Sequence, residues 1–342
     1  MKAAIVRKAG ELLIEELPVP EPGQEEALVK VYYGGICGTD NHVYRGSHKT
    51  AKYPVVLGHE FVGRLEKINT IKDIDVKEGD NVLVQPYKPC GICEPCIQGS
   101  DNVCTKLQIL GVHEHGCFAE YIKVPAHKVF KLPDNIDLKQ AILVEPLAVA
   151  VHCVRKSEMQ VGQTVFVIGG GPIGMIIAIV ARLNGASEVV ISEPNEYRKE
   201  FARKLGFNVI DPKNTDAVEE VKTMTKGRGF DVVFEASGSL GGAAMMTGCT
   251  KTSGTIVIVG VPSDKYPIDS GLILAKELKV VGVRIHAQIN FLTAIKIMES
   301  GVLKDQLAPF IDTEFDLGQL DEAMKFSLED QKHFKILINI LK

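Results

Sequence analysis

No apolar run in the 342-residue chain approaches the roughly 20 residues that a membrane-spanning helix needs, which excludes such a span. A strong excess of charge of either sign is also missing. A net charge of -4 leaves no electrostatic footprint for nucleic acid or an anionic membrane surface. Residues Met1 to Gly10 lack the long apolar core of a signal peptide, so a cytoplasmic protein is expected. Tryptophan is absent and aromatics reach only 6%, within a composition (45% hydrophobic, 24% charged) that is globular. No internal repeat and no low-complexity segment is visible. The length suggests about two domains. Eight cysteines in a reducing compartment read as metal ligands or buried thiols rather than disulfides.

Up to about residue 150 the chain reads as short strands. Lys2 to Val6, Leu12 to Glu16, Ala27 to Tyr33, Phe61 to Lys67 and Asn81 to Gln85 are apolar or alternating, and Pro and Gly turns bound them. That pattern predicts a β domain, barrel or sandwich. From about 150 to 284, apolar strands alternate with helices. Strands are expected at Gln163 to Ile168, Glu188 to Ser192, Asn208 to Ile210, Asp231 to Glu235 and Thr255 to Gly260. Helices are expected at Met175 to Leu183 and Asn195 to Leu205. This is the signature of a doubly wound parallel sheet. The tail adds helices near Gln288 to Ser300 and Leu317 to Phe326, and a last strand from Lys335 to Ile340.

Four stretches carry chemistry. Gly35-Ile36-Cys37-Gly38-Thr39-Asp40-Asn41-His42 sets a thiol, a hydroxyl, a carboxylate and an imidazole close together. Cys37 suits a metal, Thr39 can take a proton, and His42 can pass it to water. The plain alternative is a Gly-rich turn with a buried Cys. Gly58-His59-Glu60 adds an imidazole and a hard oxygen ligand. With Cys37 it makes a three-ligand set with one position open, the pattern of catalytic zinc. Glu145, in an apolar run, is either a fourth ligand or holder of the zinc water, or a helix-start carboxylate before Pro146. Cys90, Cys93, Cys96 and Cys104 follow C-x2-C-x2-C-x7-C, which closes a tetrahedral structural zinc shell; an iron–sulfur cluster or unliganded thiols are the alternatives. Gly169-Gly170-Gly171-Pro172-Ile173-Gly174 fits G-x-G-x-x-G between an apolar strand and helix, the context in which the motif binds a dinucleotide. Glu193 ends the next strand, where a carboxylate hydrogen-bonds adenosine ribose hydroxyls and favours NAD over NADP. Arg198 is the counter-signal, able to accept a 2′-phosphate or to lie on the exposed helix face.

Together these residues resemble the zinc-containing medium-chain alcohol and polyol dehydrogenases over essentially the whole chain. GICGTD at 35–40, GHE at 58–60, the four-cysteine lobe, VEP at 144–146 and GGGPIG at 169–174 carry the resemblance. Glu60 and Glu145 place it nearest the sorbitol and threonine dehydrogenase branch. VYRG at 43–46, YPVVLGHE at 53–60, LGVH at 110–113 and DQKH at 330–333 look closest to bacterial L-galactonate and L-gulonate 5-dehydrogenases.

The resemblance implies an α/β protein with a GroES-like β-rich catalytic domain (1–149 and 285–342) and a Rossmann domain (150–284). It implies one catalytic zinc on Cys37, His59 and Glu60, with Glu145 close by or exchanging in, and one structural zinc on the four-cysteine lobe. Thr39 and His42 match a proton relay. Arg284 matches a polyol-contacting residue, or else is a surface or interface arginine. Arg45 is a second cation for a substrate carboxylate. Val261 and Val283 complete the implied NAD contacts, beside Gly169, Gly171, Pro172, Ile173, Gly174, Glu193 and Arg198. A small-molecule substrate and a homo-oligomer, dimer or tetramer, are implied.

The chain departs from the family in places. Ile285 stands where sorbitol dehydrogenases carry Tyr, and His115-Gly116-Cys117 where Asp-Gly-Gly is common. His113 and His115 read as solvated or core histidines, and Cys153 and Cys249 as inert core thiols. The rivals are an L-threonine 3-dehydrogenase, a sorbitol-type enzyme, and a non-catalytic dinucleotide-binding protein on the same fold.

Overall fold

A computed structural model describes every residue except Ser263, Asp330 and Gln331. The first two residues of the DQKH stretch therefore lie outside the described residues. The chain forms two compact units, Met1–Glu145 with Ala287–Lys342, and Pro146–His286.

The first unit is built on a seven-stranded sheet. Its path runs Val129–Lys131, Asn81–Val84, Glu60–Asn69, Glu26–Gly35, Lys335–Asn339 and Ile311–Asp316, and Tyr121–Pro125 also pairs with Glu26–Gly35. Glu26–Gly35 alternates half-buried and buried residues along most of its length, the period-two pattern of a strand with one face in the core. Lys335–Asn339 is buried at all five positions. Register brings Gly35 opposite both Glu60 and Leu337 on its two neighbours. A smaller sheet pairs Lys2–Lys8 with Glu11–Glu16 and Val55–Val56. Strand Val55–Val56, just before Gly58, is only two residues long.

The stretch after Gly35 is a helix, Gly38–Tyr44, and not only a glycine-rich turn. Cys37 sits in extended conformation at its N-cap, and the Asp40 carboxylate accepts the Cys37 N–H at 2.9 Å, closing the first turn. That local hydrogen bond decides the conformation.

The second unit is a six-stranded sheet, parallel throughout. Its spatial order is Asn208–Ile210, Glu188–Ser192, Thr164–Ile168, Phe230–Glu235, Thr250–Ile258 and Lys279–Gly282. Strand order reverses between Thr164–Ile168 and Phe230–Glu235, the switch point where open α/β sheets bind ligands. Helices Ala217–Met224, Leu240–Cys249 and Ser270–Lys276, and the edge strand Lys279–Gly282, were not foreseen. Leu240–Cys249 is rich in Gly and small residues, so its composition argues against a helix until packing supports it. Among the described residues no helix is long and apolar enough to cross a membrane.

Candidate active site

Cys37, His59 and Glu60 each offer a ligand atom, and these atoms lie within 4.8 Å of one another. Cys37 comes from the helix N-cap. His59 and Glu60 follow Gly58, whose φ of +92° lets the chain turn before strand Glu60–Asn69 begins. A Cβ on Gly58 would also lie 2.6 Å from Cys117 Sγ.

Two buried charged neighbours, Asp40 and Lys335, support this set. Asp40 is fully buried; its Oδ1 accepts the Gly58 N–H at 3.0 Å and lies 3.6 Å from His59 Nδ1. Asp40 thus ties the Cys37 turn to the His59 turn. Lys335 is buried, and its ammonium donates to Glu60 Oε2 at 2.5 Å and to Ile36 O at 3.2 Å. Gly35 makes room for that pair: a Cβ there would stand 2.6 Å from Glu60 Oε2. The hint in the sequence was a lysine opening a mostly apolar final strand.

The electrostatics fit a dication. Burial opposes a charge on His59, yet the negative charges of Asp40 and Cys37 outweigh it and hold the imidazole well above its ordinary range. Burial pushes Glu60 up to about 7, with Lys335 pulling it down and Glu145 pushing it up. Glu60 Oε1 is buried and meets no hydrogen-bond donor among the described residues. A thiol, an imidazole and a carboxylate that concentrate negative charge in a buried spot are a fitting donor set for zinc. In metal-free protein Glu60 binds protons more tightly than in the unfolded chain. Its contribution to stability is then present below the usual carboxylate range and lost as pH rises through about 7. Urea midpoints of chelator-treated protein are therefore expected to fall between about pH 5 and pH 8, and less so in Glu60→Gln. A slope that Glu60→Gln leaves unchanged would refute this.

Helix Gly38–Tyr44 places Thr39 and His42 one turn apart on one face. Thr39 is half-buried, and His42 is exposed with Nδ1 3.1 Å from Ser47 Oγ. Arg45, the exposed C-cap of the same helix, is not part of the ligand cluster. Glu145 is buried in the first turn of helix Val144–Ser157, near enough to Glu60 to repel its charge but outside the three-ligand cluster. Arg284 is exposed and belongs to the second unit. His113 Nε2 lies 3.0 Å from Thr50 Oγ1, and His115 Nδ1 accepts the Val56 N–H at 3.1 Å; neither joins a metal-ligand group among the described residues. Cys153 and Cys249 are fully buried, and burial pushes each thiol up to about 12.

Cys90, Cys93, Cys96 and Cys104 form the second group, again with ligand atoms within 4.8 Å of one another. Backbone N–H groups of Cys90 and Lys106 donate to Cys104 Sγ at 3.2 and 3.3 Å. Those of Thr105 and Cys96 pull the Cys93 thiol down to about 6. Four convergent sulfurs with amide donors around them suit a tetrahedral zinc. All eight cysteines are free thiols.

The glycine loop joins strand Thr164–Ile168 to helix Pro172–Leu183, with Gly171 as N-cap and Pro172 in the first turn. Half-buried Ile173 follows in that turn. A Cβ on Gly174 would stand 1.9 Å from Gly169 O, so only glycine lets the helix start this close to the strand. Nothing stands nearer than 3.7 Å to a Cβ position on Gly171, which leaves the helix N-terminus open to a pyrophosphate. Glu193 is buried at 3% exposure; its oxygens accept the N–H groups of Gly170 and Asn195, both at 2.7 Å.

Arg198 does not lie out on the helix face. Its Nη1 is the group 3.7 Å from that Gly171 position, and its Nε is buried with no hydrogen-bond partner among the described residues. Carboxylate and guanidinium thus both flank the loop. Val261 is 75% exposed with its backbone against Gly238, and Val283 N–H donates to Ile258 O at 3.2 Å. Glu235, unforeseen, ends the central strand. It accepts Ser237 N–H at 2.9 Å, Gly238 N–H at 3.1 Å and the Tyr266 hydroxyl at 2.5 Å, which shapes the loop beside Gly169.

Residues 23–134 match the alcohol dehydrogenase GroES-like domain family, and residues 172–300 match the zinc-binding dehydrogenase family. The chain is 39% identical to a 2-dehydro-3-deoxy-L-galactonate 5-dehydrogenase of Pseudoalteromonas atlantica, over 88% of each chain. It is 34% identical to an L-threonine 3-dehydrogenase of Bacillus subtilis, over 98% of each. Among solved structures, a zinc-binding dehydrogenase from Sinorhizobium meliloti 1021 bound to NADP superimposes with a TM-score of 0.92 at 32% identity, covering 99% of both chains. With two thiol-bearing ligand groups and a dinucleotide loop on such a frame, the chain belongs to the zinc-binding alcohol dehydrogenase family, enzymes that use zinc and NAD(H).

Proposed function

We propose that the protein oxidises, reversibly and with NAD, a secondary alcohol of a sugar acid, a hexonate such as L-galactonate or L-gulonate at carbon 5. The observation that carries the reading is the convergence of Cys37, His59 and Glu60 ligand atoms within 4.8 Å. Zinc held there supplies Lewis-acid polarisation of the alcohol, and NAD supplies the hydride acceptor. Thr39 takes the alcohol proton. His42, one helical turn along and exposed, releases it to water. Asp40 sets a negative charge beside His59, Lys335 offsets the charge of Glu60, and Glu145 adds a second carboxylate near it. The resemblance to a 2-dehydro-3-deoxy-L-galactonate 5-dehydrogenase supports the hexonate class.

The two metal groups have different roles in this reading. Four thiolates fill a tetrahedral shell, so the Cys90–Cys104 site is structural; three ligands leave a position for substrate. Elemental analysis of protein purified without chelator is expected to find two zinc ions per chain. Full activity with one or none would contradict this. The thiol sets call for a reducing compartment, the cytoplasm. A homo-oligomer, dimer or tetramer, rests on the resemblance to the family.

Cofactor choice rests on Glu193, buried against the loop, with Val261 and Val283 placed as further contacts. NAD is expected to exceed NADP at least tenfold in kcat/KM, about 1.4 kcal/mol, and Glu193→Ala should erode the margin. Equal use of both by the unmodified enzyme would show that Arg198 prevails. For the substrate, hexonates, neutral polyols and L-threonine are compared by NADH absorbance. Strong turnover of L-threonine or polyols with none of any hexonate would discard the hexonate reading.

A further inference from the structure

We propose that Lys128 is a positioning residue for the four-cysteine lobe, a buried ammonium that fastens both ends of the lobe so that its thiols stay set for the metal ion. The proposal rests on the structural-zinc reading of that lobe. Lys128 is only 1% exposed. Its Nζ lies 2.7 Å from Gln85 Oε1, 3.1 Å from Asp101 Oδ2 and 3.4 Å from Gln288 Oε1, and 4.5 Å from the centroid of the Tyr87 ring. The Tyr87 hydroxyl donates to the other Asp101 oxygen at 3.0 Å and receives Gln85 Nε2 at 3.0 Å.

The placement of these partners is the point. Tyr87 lies three residues before Cys90, and Asp101 three residues before Cys104. The segments leading into the first and the last ligand therefore meet at one buried cation. Between them the lobe has little regular structure. Its helices span only Glu94–Ile97 and Asp101–Val103, Ile92 and Ile97 are 78% and 75% exposed, and strand Tyr87–Lys88 pairs, among the described residues, with Gln108–Ile109 alone. With such short elements and Ile92 and Ile97 exposed, the buried polar network on Lys128 is an anchor that reaches both ends of the loop. Burial opposes the Lys128 charge, while Asp101 and Cys96 support it. A four-thiolate zinc carries two net negative charges, and a nearby ammonium offsets part of them.

Removing an outer partner of a metal site commonly weakens metal binding 10–100-fold. The test uses full-length protein loaded with cobalt, whose four-thiolate absorption reports the lobe apart from the one-thiolate site, and follows decay of that band under excess chelator. Lys128→Met is expected to lose the band at least tenfold faster than the parent. Lys128→Arg, which keeps charge and donors, should return most of the way. Asp101→Asn should also be at least tenfold faster, and it decides the matter if Lys128→Met fails to fold. Parent-like decay in the folded variants would overturn the role of Lys128 while leaving the structural site standing. A parent without the four-thiolate band would overturn both.

Discussion

Lys335→Met is expected to destabilise the protein by about 3–5 kcal/mol, the range for breaking one side of a buried ion pair. Lys335 and Glu60 are 3% and 1% exposed, and their contact is 2.5 Å. Methionine would leave the Glu60 carboxylate in a low-dielectric site, with Oε1 already lacking a partner among the described residues. The deficit should be larger after chelation, because zinc is the other positive charge able to face Glu60. Pairing Lys335→Met with Glu60→Gln should recover much of the stability, since no uncompensated charge then remains, but not zinc affinity. Urea unfolding of single and double variants, with and without zinc, reads all of this. An unchanged midpoint for Lys335→Met would mean that the pair contributes nothing.

Hexonate oxidation is expected to collapse in Arg45→Ala or Arg284→Ala while turnover of a neutral polyol persists. A hexonate brings vicinal hydroxyls to one end and a carboxylate to the other, and the carboxylate needs a cation, best a bidentate guanidinium. Losing one such contact should cost roughly 2–4 kcal/mol in transition-state binding. Arg45 follows directly on the helix that carries Thr39 and His42, and both arginines are exposed. The decisive quantity is the ratio of kcat/KM for hexonate and polyol in each variant. Equal losses on both substrates would remove these residues from carboxylate recognition.

The family, the fold class and the dehydrogenase chemistry were legible because their signals are local in the chain. C-x2-C-x2-C-x7-C brings its own turns, and a glycine loop between an apolar strand and helix states its own context. Alternating and continuous apolar runs separated the β-rich unit from the parallel sheet. Helix Leu240–Cys249 was not legible, because glycine and small residues give no amphipathic period; it exists by packing against Phe230–Glu235 and its neighbours.

What tertiary structure decided is which charged groups share a buried space. Nothing near Lys335 in sequence says that it meets Glu60, far back in the chain; only the register of Lys335–Asn339 and Glu60–Asn69 on either side of Gly35 does. The same holds for Lys128, whose partners lie on two separate approaches to the cysteine lobe. Arg198 turned toward Gly171 rather than solvent for a related reason: helix periodicity gives a residue's face, while the direction of a long side chain depends on what lies beyond it. Motifs state which ligands are available, and burial states which counter-charges they must have; only the folded chain brings the two together.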